Sequence, residues 1–192
     1  AALAAAIALT VVEPTSNGIG GDAFAIVWEG DRLHGLNASG RSPMALTRQR
    51  FRGMQTMPAL GWDTVTVPGA VSAWVALWRR VGRLPFDDLF EPAITYAADG
   101  FLVAPVTAKA WAQAAETYRD FPEFGRAFLP GGRAPQAGER FAFPEQARTL
   151  QRIAETEGEA FYRGEIADKI VAHAQATGGL FTLEDLAAHE PE

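Results

Sequence analysis

Residues Glu13–Trp28, EPTSNGIGGDAFAIVW, set three glycines between an alanine-rich segment and an apolar run. That order predicts a helix, a tight turn and a strand. Gly18, Gly20 and Gly21 can take positive φ and let another backbone or a ligand come close, at a conformational cost that a plain connector has little reason to bear. Upstream, Ala1–Val12 is rich in the best helix former, and Leu3, Ile7 and Val11 recur four residues apart along one face. Leu9 and Val12 lie off that face, so the helix is apolar nearly all round and is expected to be enclosed by other elements. Pro14 ends it by pushing Glu13 out of the helical region. Downstream, Phe24–Trp28 reads as a strand, Glu29-Gly30-Asp31 as a turn and Arg32–Asn37 as a second strand, which together make a β-hairpin.

The hairpin feeds a loop, Ala38–Pro43, marked by Ser, Gly and Pro. Residues 44–60 give no firm element beyond a turn of helix from Thr47. Thr64–Val67 is expected to be a short strand. Pro68-Gly69 opens a helix over Ala70–Val81, in which Val71, Trp74, Val75 and Trp78 share a face; the two tryptophans are assigned to the core. Further helices are predicted over Phe86–Ala98, Val106–Tyr118, Gln146–Glu155 and Glu165–Ala176. Gly- and Pro-rich Phe121–Pro144 reads as an exposed excursion. Thr182 and Asp185 have the spacing of a capping box.

The chain has 192 residues, 48% hydrophobic and 21% charged, an ordinary globular composition. A net charge of −6 and the lack of a basic, aromatic-interleaved stripe argue against nucleic acid as a partner. Of 17 basic residues only Lys109 and Lys169 are lysine, leaving 15 arginines, so one arginine near a motif is weak evidence alone. Cysteine is absent, which removes disulfides, thiol catalysis and Cys-ligated metal from this chain and leaves the compartment open. The opening apolar segment is shorter than the roughly 20 residues of a membrane span and lacks the basic leader of a signal peptide. Ala1 already lies within a helical pattern, and Pro191-Glu192 follow directly on a short helix. Both ends therefore read as truncated, and the chain is expected to be a fragment or one piece of a longer precursor.

Candidate chemistry is sparse. His34, His173 and His189 stand far apart and show no metal-ligand spacing, and no G-x-S-x-G elbow is present. Gly18–Ala23 fits the dinucleotide pattern G-x-G-x-x-G/A formally. That pattern needs a strand before it and a helix after it, so that the pyrophosphate meets a helix N-terminus, and here the order is inverted. A tight buried turn without a ligand is the plainer alternative.

The stretch VVEPTSNGIGGDAFAIVWEG resembles the large-subunit signature of the γ-glutamyltranspeptidase family. The likeness continues in order along nearly the whole chain. Thr66-Val67-Pro68-Gly69-Ala70-Val71 with Trp74 is similar to the family's V-P-G segment. Gly82-Arg83-Leu84-Pro85, Glu91-Pro92-Ala93-Ile94 and Gly100-Phe101 match its next blocks. Phe161-Tyr162-Arg163-Gly164-Glu165-Ile166-Ala167 and Gly178-Gly179-Leu180-Phe181-Thr182-Leu183-Glu184-Asp185-Leu186 match later ones.

The resemblance implies an N-terminal-nucleophile hydrolase, a precursor that cuts itself into two subunits and uses the new N-terminal threonine of the small subunit as nucleophile. The expected fold is α+β, an αββα four-layer sandwich of which residues 1–192 supply the large-subunit portion of a single domain. On this reading the chain holds no catalytic residue, and neither a cofactor nor a metal is implied. Its partners are the small subunit of the same precursor and a small amide or peptide substrate, with a higher oligomer left open.

One departure is informative. Members acting on γ-glutamyl substrates carry an arginine four residues before the proline of R-E-x-A-P, where its planar fork holds the substrate's α-carboxylate. Here Ser39 occupies that position and Arg41 follows two residues later, in Ser39-Gly40-Arg41-Ser42-Pro43. Either Arg41 reaches the carboxylate from a shifted loop, or the pocket no longer reads an α-amino acid head. The implied activity is cleavage of γ-glutamyl amides through an acyl-threonine. The alternatives are an acylase of the same mechanism on another side-chain amide, such as a glutaryl group, and a non-catalytic binding protein of the same fold.

Overall fold

The computed structural model describes all 192 residues. In chain order they form α1 (Ala2–Val12), β1 (Phe24–Glu29), β2 (Arg32–Asn37), α2 (Ala70–Val81), α3 (Glu91–Asp99), β3 (Phe101–Leu102), α4 (Pro105–Thr117), α5 (Pro122–Phe128), β4 (Arg140–Phe141), α6 (Pro144–Glu155), α7 (Glu159–Arg163), α8 (Glu165–Ala176) and α9 (Leu183–Ala187). No helix is long and apolar enough to cross a membrane. The chain divides into two compact units, one of Ala1–Gly18 with Leu84–Gln151 and one of Ile19–Arg83 with Arg152–Glu192.

In the first unit α1 packs against α3. Ile7, Thr10 and Val11 are buried, but Leu9 is 44% exposed and Ala2, Ala5 and Ala6 face solvent. The expected enclosure of α1 on all sides is therefore not observed within its unit. Alanine makes that exposure cheap, because a methyl group carries little apolar area to desolvate. α3 begins at Glu91 rather than Phe86, after a separate 3-10 turn at Asp87–Leu89. Pro92 fixes this start, since it fits the first helical turn and would break the interior of a helix begun five residues earlier. Gly100, at φ 86°, ends it.

Most residues of Phe121–Pro144 are exposed, as its glycines and prolines suggest, but the stretch is not without structure. It contains α5 and β4, and Phe141 pairs with Phe101 in the short antiparallel ladder of β3 and β4. Trp111 of α4, 1% exposed, lies edge-on to Phe141 with centroids 4.8 Å apart and to Phe128 at 6.0 Å. Its indole N–H donates to the Phe128 carbonyl at 2.9 Å. The turn residues Gly131, Gly132 and Gly138 do adopt positive φ. Of the aromatics on either side of them only Phe141 is buried, while Phe124, Phe128 and Phe143 are half-buried.

In the second unit β1 and β2 form the antiparallel hairpin, with Phe24 opposite Asn37 and Trp28 opposite Leu33. Phe24, Ile26, Trp28 and Leu33 are all exposed, whereas Ala25, Val27 and Leu36 are half-buried. The hairpin thus carries one covered and one open apolar face, following the two-residue period of a strand. Thr64–Val67 forms no strand: a 3-10 turn spans Trp62–Thr64, and Val67 N–H makes a single bond to the Arg41 carbonyl. The turn of helix expected from Thr47 is a 3-10 turn at Arg48–Phe51. In α2 Trp74 is buried, as expected, and Trp78 is half-buried. Trp62 donates to Thr177 Oγ1 at 2.8 Å and meets Phe181 edge-on, fastening the irregular stretch after Pro43 to the end of α8.

Candidate functional site

β2 ends at Asn37, and its side chain shapes the loop that follows. Asn37 Oδ1 accepts from Ser39 N–H at 2.9 Å and from Ser39 Oγ at 2.8 Å, an Asx turn that starts the bend. Gly40 N–H donates to Asp22 Oδ1 at 3.2 Å. The Arg41 carbonyl receives Val67 N–H at 2.9 Å, and Met44 N–H donates to Asp185 Oδ1 at 2.8 Å. Asn37 and Glu192 exchange two backbone bonds of 2.7 Å.

Two glycines let this loop lie against the segment leading into α2. A β-carbon on Gly40 would sit 1.6 Å from the Val67 carbonyl oxygen, and one on Gly69 would sit 1.5 Å from that of Ala38. Neither distance is open to any other residue. The glycine-rich turn behaves differently. None of Gly18, Gly20 and Gly21 takes positive φ, and a side chain on Gly20 would meet nothing within 4 Å. Its service is polar: the Gly21 carbonyl accepts Gly69 N–H at 3.0 Å and Ala70 N–H at 2.9 Å. Two orphan donors at the start of α2 are satisfied in this way without a capping side chain.

A third donor of α2, Ser72 N–H, is met by the Tyr162 hydroxyl at 3.0 Å, and Tyr162 in turn donates to the Pro68 carbonyl at 2.8 Å. Burial pushes the Tyr162 phenol up to about 12, so it remains a neutral donor. Ser72 Oγ lies 2.8 Å from the Gly69 carbonyl and 2.9 Å from His189 Nε2, and the His189 ring stacks on Tyr162 at 5.5 Å. Burial lowers the His189 pKa, with Asp22 pulling weakly the other way. Sequence reasoning missed this Ser72–Tyr162–His189 cluster because its members lie on three elements far apart in the chain. It holds the start of α2, α7 and the segment after α9 together, and Ser72 is buried in it.

Beside the cluster opens a cleft of about 370 Å³. Ser39, Arg41, Ser42 and Met44 form one wall; Glu184, Ala188, His189 and Glu190 form the other. Both residues singled out in the sequence thus line one cleft. Their roles differ. Ser39 is engaged by Asn37, while the Arg41 side chain is 91% exposed and has only a loose contact of 3.8 Å with Glu192. An exposed pair of this kind holds a guanidinium weakly, so its donors are available to a ligand. The cleft thus sets one guanidinium, that of Arg41, among the carboxylates of Glu184, Glu190 and Glu192. Neither wall offers an activated nucleophile.

The profile of the family described as Gamma-glutamyltranspeptidase matches residues 1–192. A glutathione hydrolase-like proenzyme of Bacillus subtilis is 38% identical over 195 residues, covering 100% of this chain and 37% of that protein. The oxamate amidohydrolase proenzyme of Klebsiella pneumoniae is 39% identical over 197 residues, covering 98% of this chain and 37% of that protein. The crystal structure of a cephalosporin acylase from Bacillus halodurans superposes with a TM-score of 0.94 at 47% identity, over 100% of this chain and 37% of that one. The chain therefore spans little more than a third of the length of these relatives, and it has the α+β fold of the corresponding part of an N-terminal-nucleophile hydrolase. With the profile covering every residue from the alanine-rich helix to the capping box, the chain belongs to the γ-glutamyltranspeptidase family.

Proposed function

We propose that the chain is the large-subunit portion of one γ-glutamyltranspeptidase-like domain, in an enzyme that cleaves γ-glutamyl amides through an acyl-threonine on the small subunit of the same precursor. The observation that carries this reading is Arg41, an exposed guanidinium held only loosely by Glu192, on a cleft wall faced by Glu184 and Glu190. A γ-glutamyl head is zwitterionic, and this cleft offers both signs of charge. The open face of Phe24, Ile26, Trp28 and Leu33 supports the partner, because a strand face this apolar favours a second sheet over water.

The test is kcat/KM for a γ-glutamyl anilide in the full-length, processed protein and in Arg41→Ala. Loss of a charge-assisted carboxylate contact costs about 1.5–3 kcal/mol, roughly ten- to a hundredfold. An unchanged value removes Arg41, and with it the α-carboxylate, from the reading.

A second reading has its own support. Ser39 stands where the carboxylate-binding arginine is expected, and two of the relatives described above are named for oxamate and cephalosporin rather than for glutathione. An acylase of the same mechanism on a glutaryl-type amide would turn over a glutaryl anilide at least as fast as the γ-glutamyl one. A non-catalytic protein of the same fold would run as a single uncut band on a denaturing gel, without a new N-terminal threonine.

A further inference from the structure

We propose that Asp185 is a positioning residue that fixes the separation of the two cleft walls, and through it how tightly the cleft holds an acyl group. The inference rests on the reading that this cleft takes the acyl group.

Asp185 is 8% exposed, and its carboxylate serves two elements at once. Oδ2 accepts from Thr182 N–H at 2.9 Å and from Thr182 Oγ1 at 2.8 Å, closing the capping box of α9. Oδ1 accepts Met44 N–H at 2.8 Å, from the opposite wall and 141 residues away in sequence. One rigid group of three atoms therefore spans from the first turn of α9 to the loop that carries Ser39 and Arg41. No ion pair reaches Asp185, so these donors alone compensate a buried carboxylate, and each of them is held to a narrow geometry.

The residue type agrees. A capping box more often closes with Glu or Gln, whose longer side chain reaches back to the cap with room to spare. Aspartate is shorter by one methylene, about 1.5 Å. Glu at this position would keep the cap and the charge while displacing the oxygen that holds Met44.

That separation of roles gives the test, made on the full-length, processed protein with active sites titrated. In Asp185→Glu, KM for both γ-glutamyl and glutaryl anilides should rise by roughly tenfold or more, as expected for a misplacement near 1 Å, with kcat within about threefold. Hydrogen exchange in residues 40–46 should quicken while the melting temperature stays near that of the wild type. Thr182→Val removes the hydroxyl half of the cap and spares the Met44 bond; it should lower the melting temperature and leave KM unchanged. If Asp185→Glu does not accumulate, Asp185→Asn replaces it, because an amide can accept on one side only. An unchanged KM with faster exchange at Met44 overturns the proposal. So does a rise in KM that Asp185→Glu and Thr182→Val share in step with lost stability. Arg41→Ala separates the two readings: a flat response there refutes the α-carboxylate contact, while the Asp185→Glu effect on both substrates still stands or falls alone.

Discussion

Gly20 lies in the densest run of glycine in the chain, yet a side chain there would meet no atom within 4 Å, and its neighbours Gly18 and Gly21 also stay out of the left-handed region. Gly40 and Gly69 look like ordinary loop and helix-start glycines. Both would drive a β-carbon to within 1.6 Å of a backbone oxygen. The difference teaches that glycine density reports a local wish for a turn, whereas glycine necessity is set by a backbone arriving from elsewhere in the chain. The second kind brackets the cleft.

The contrast predicts a steep order of effects. Gly40→Ala and Gly69→Ala should each cost more than about 3 kcal/mol, since backbone cannot give way as a rotamer can, and the proteins should fail to accumulate in soluble form. Tyr162→Phe leaves Ser72 N–H and the Pro68 carbonyl without their partner next to Gly69. It should cost about 1–3 kcal/mol, read as a fall of several degrees in melting temperature. His189 gives a smaller, pH-dependent effect. Burial holds its folded pKa below the ordinary 6.5, so the unfolded chain takes up the proton first as pH falls. Stability therefore declines as pH drops below about 6.5 and levels off beneath the folded value. Urea midpoints between pH 8 and pH 5 should fall more in the wild type than in His189→Asn. At the bottom of the order, Gly20→Ala should change stability by no more than about 0.5 kcal/mol by urea denaturation. A loss comparable to that of Gly69→Ala would collapse the comparison.

Much of the fold was legible because its signals are local. The hairpin, α2, α4, α6, α8 and the capping box at Thr182 follow from periodicity, propensity and caps within a dozen residues. The failures share one cause. Phe121–Pro144 announces turns by its glycines, but that Phe141 is buried within it depends on Trp111, which belongs to another element. Thr64–Val67 has the β-branched composition of a strand but finds only one backbone partner beyond its own turn, at Arg41. α1 has the composition of an enclosed helix, and enclosure depends on what lies around it. At the cleft, Ser39 and Arg41 were legible through a departure from a familiar pattern. Asp185 was legible as a cap, while its bond to Met44 carries no signature in the sequence.

The bond between Asp185 and Met44 also bears on the order in which the chain becomes functional. Hairpin closure between β1 and β2 is a matter of microseconds, since its partners are near neighbours. A contact across 141 residues closes late, because loop-closure entropy must be met before the contact returns anything. During synthesis the loop of Ser39 and Arg41 therefore emerges early, with its bonds to Asn37, Asp22 and Val67 within reach, and waits for the opposite wall until α9 leaves the ribosome. The cleft forms only once α9 has emerged, and a ribosome stalled before Thr182 would display the hairpin without it.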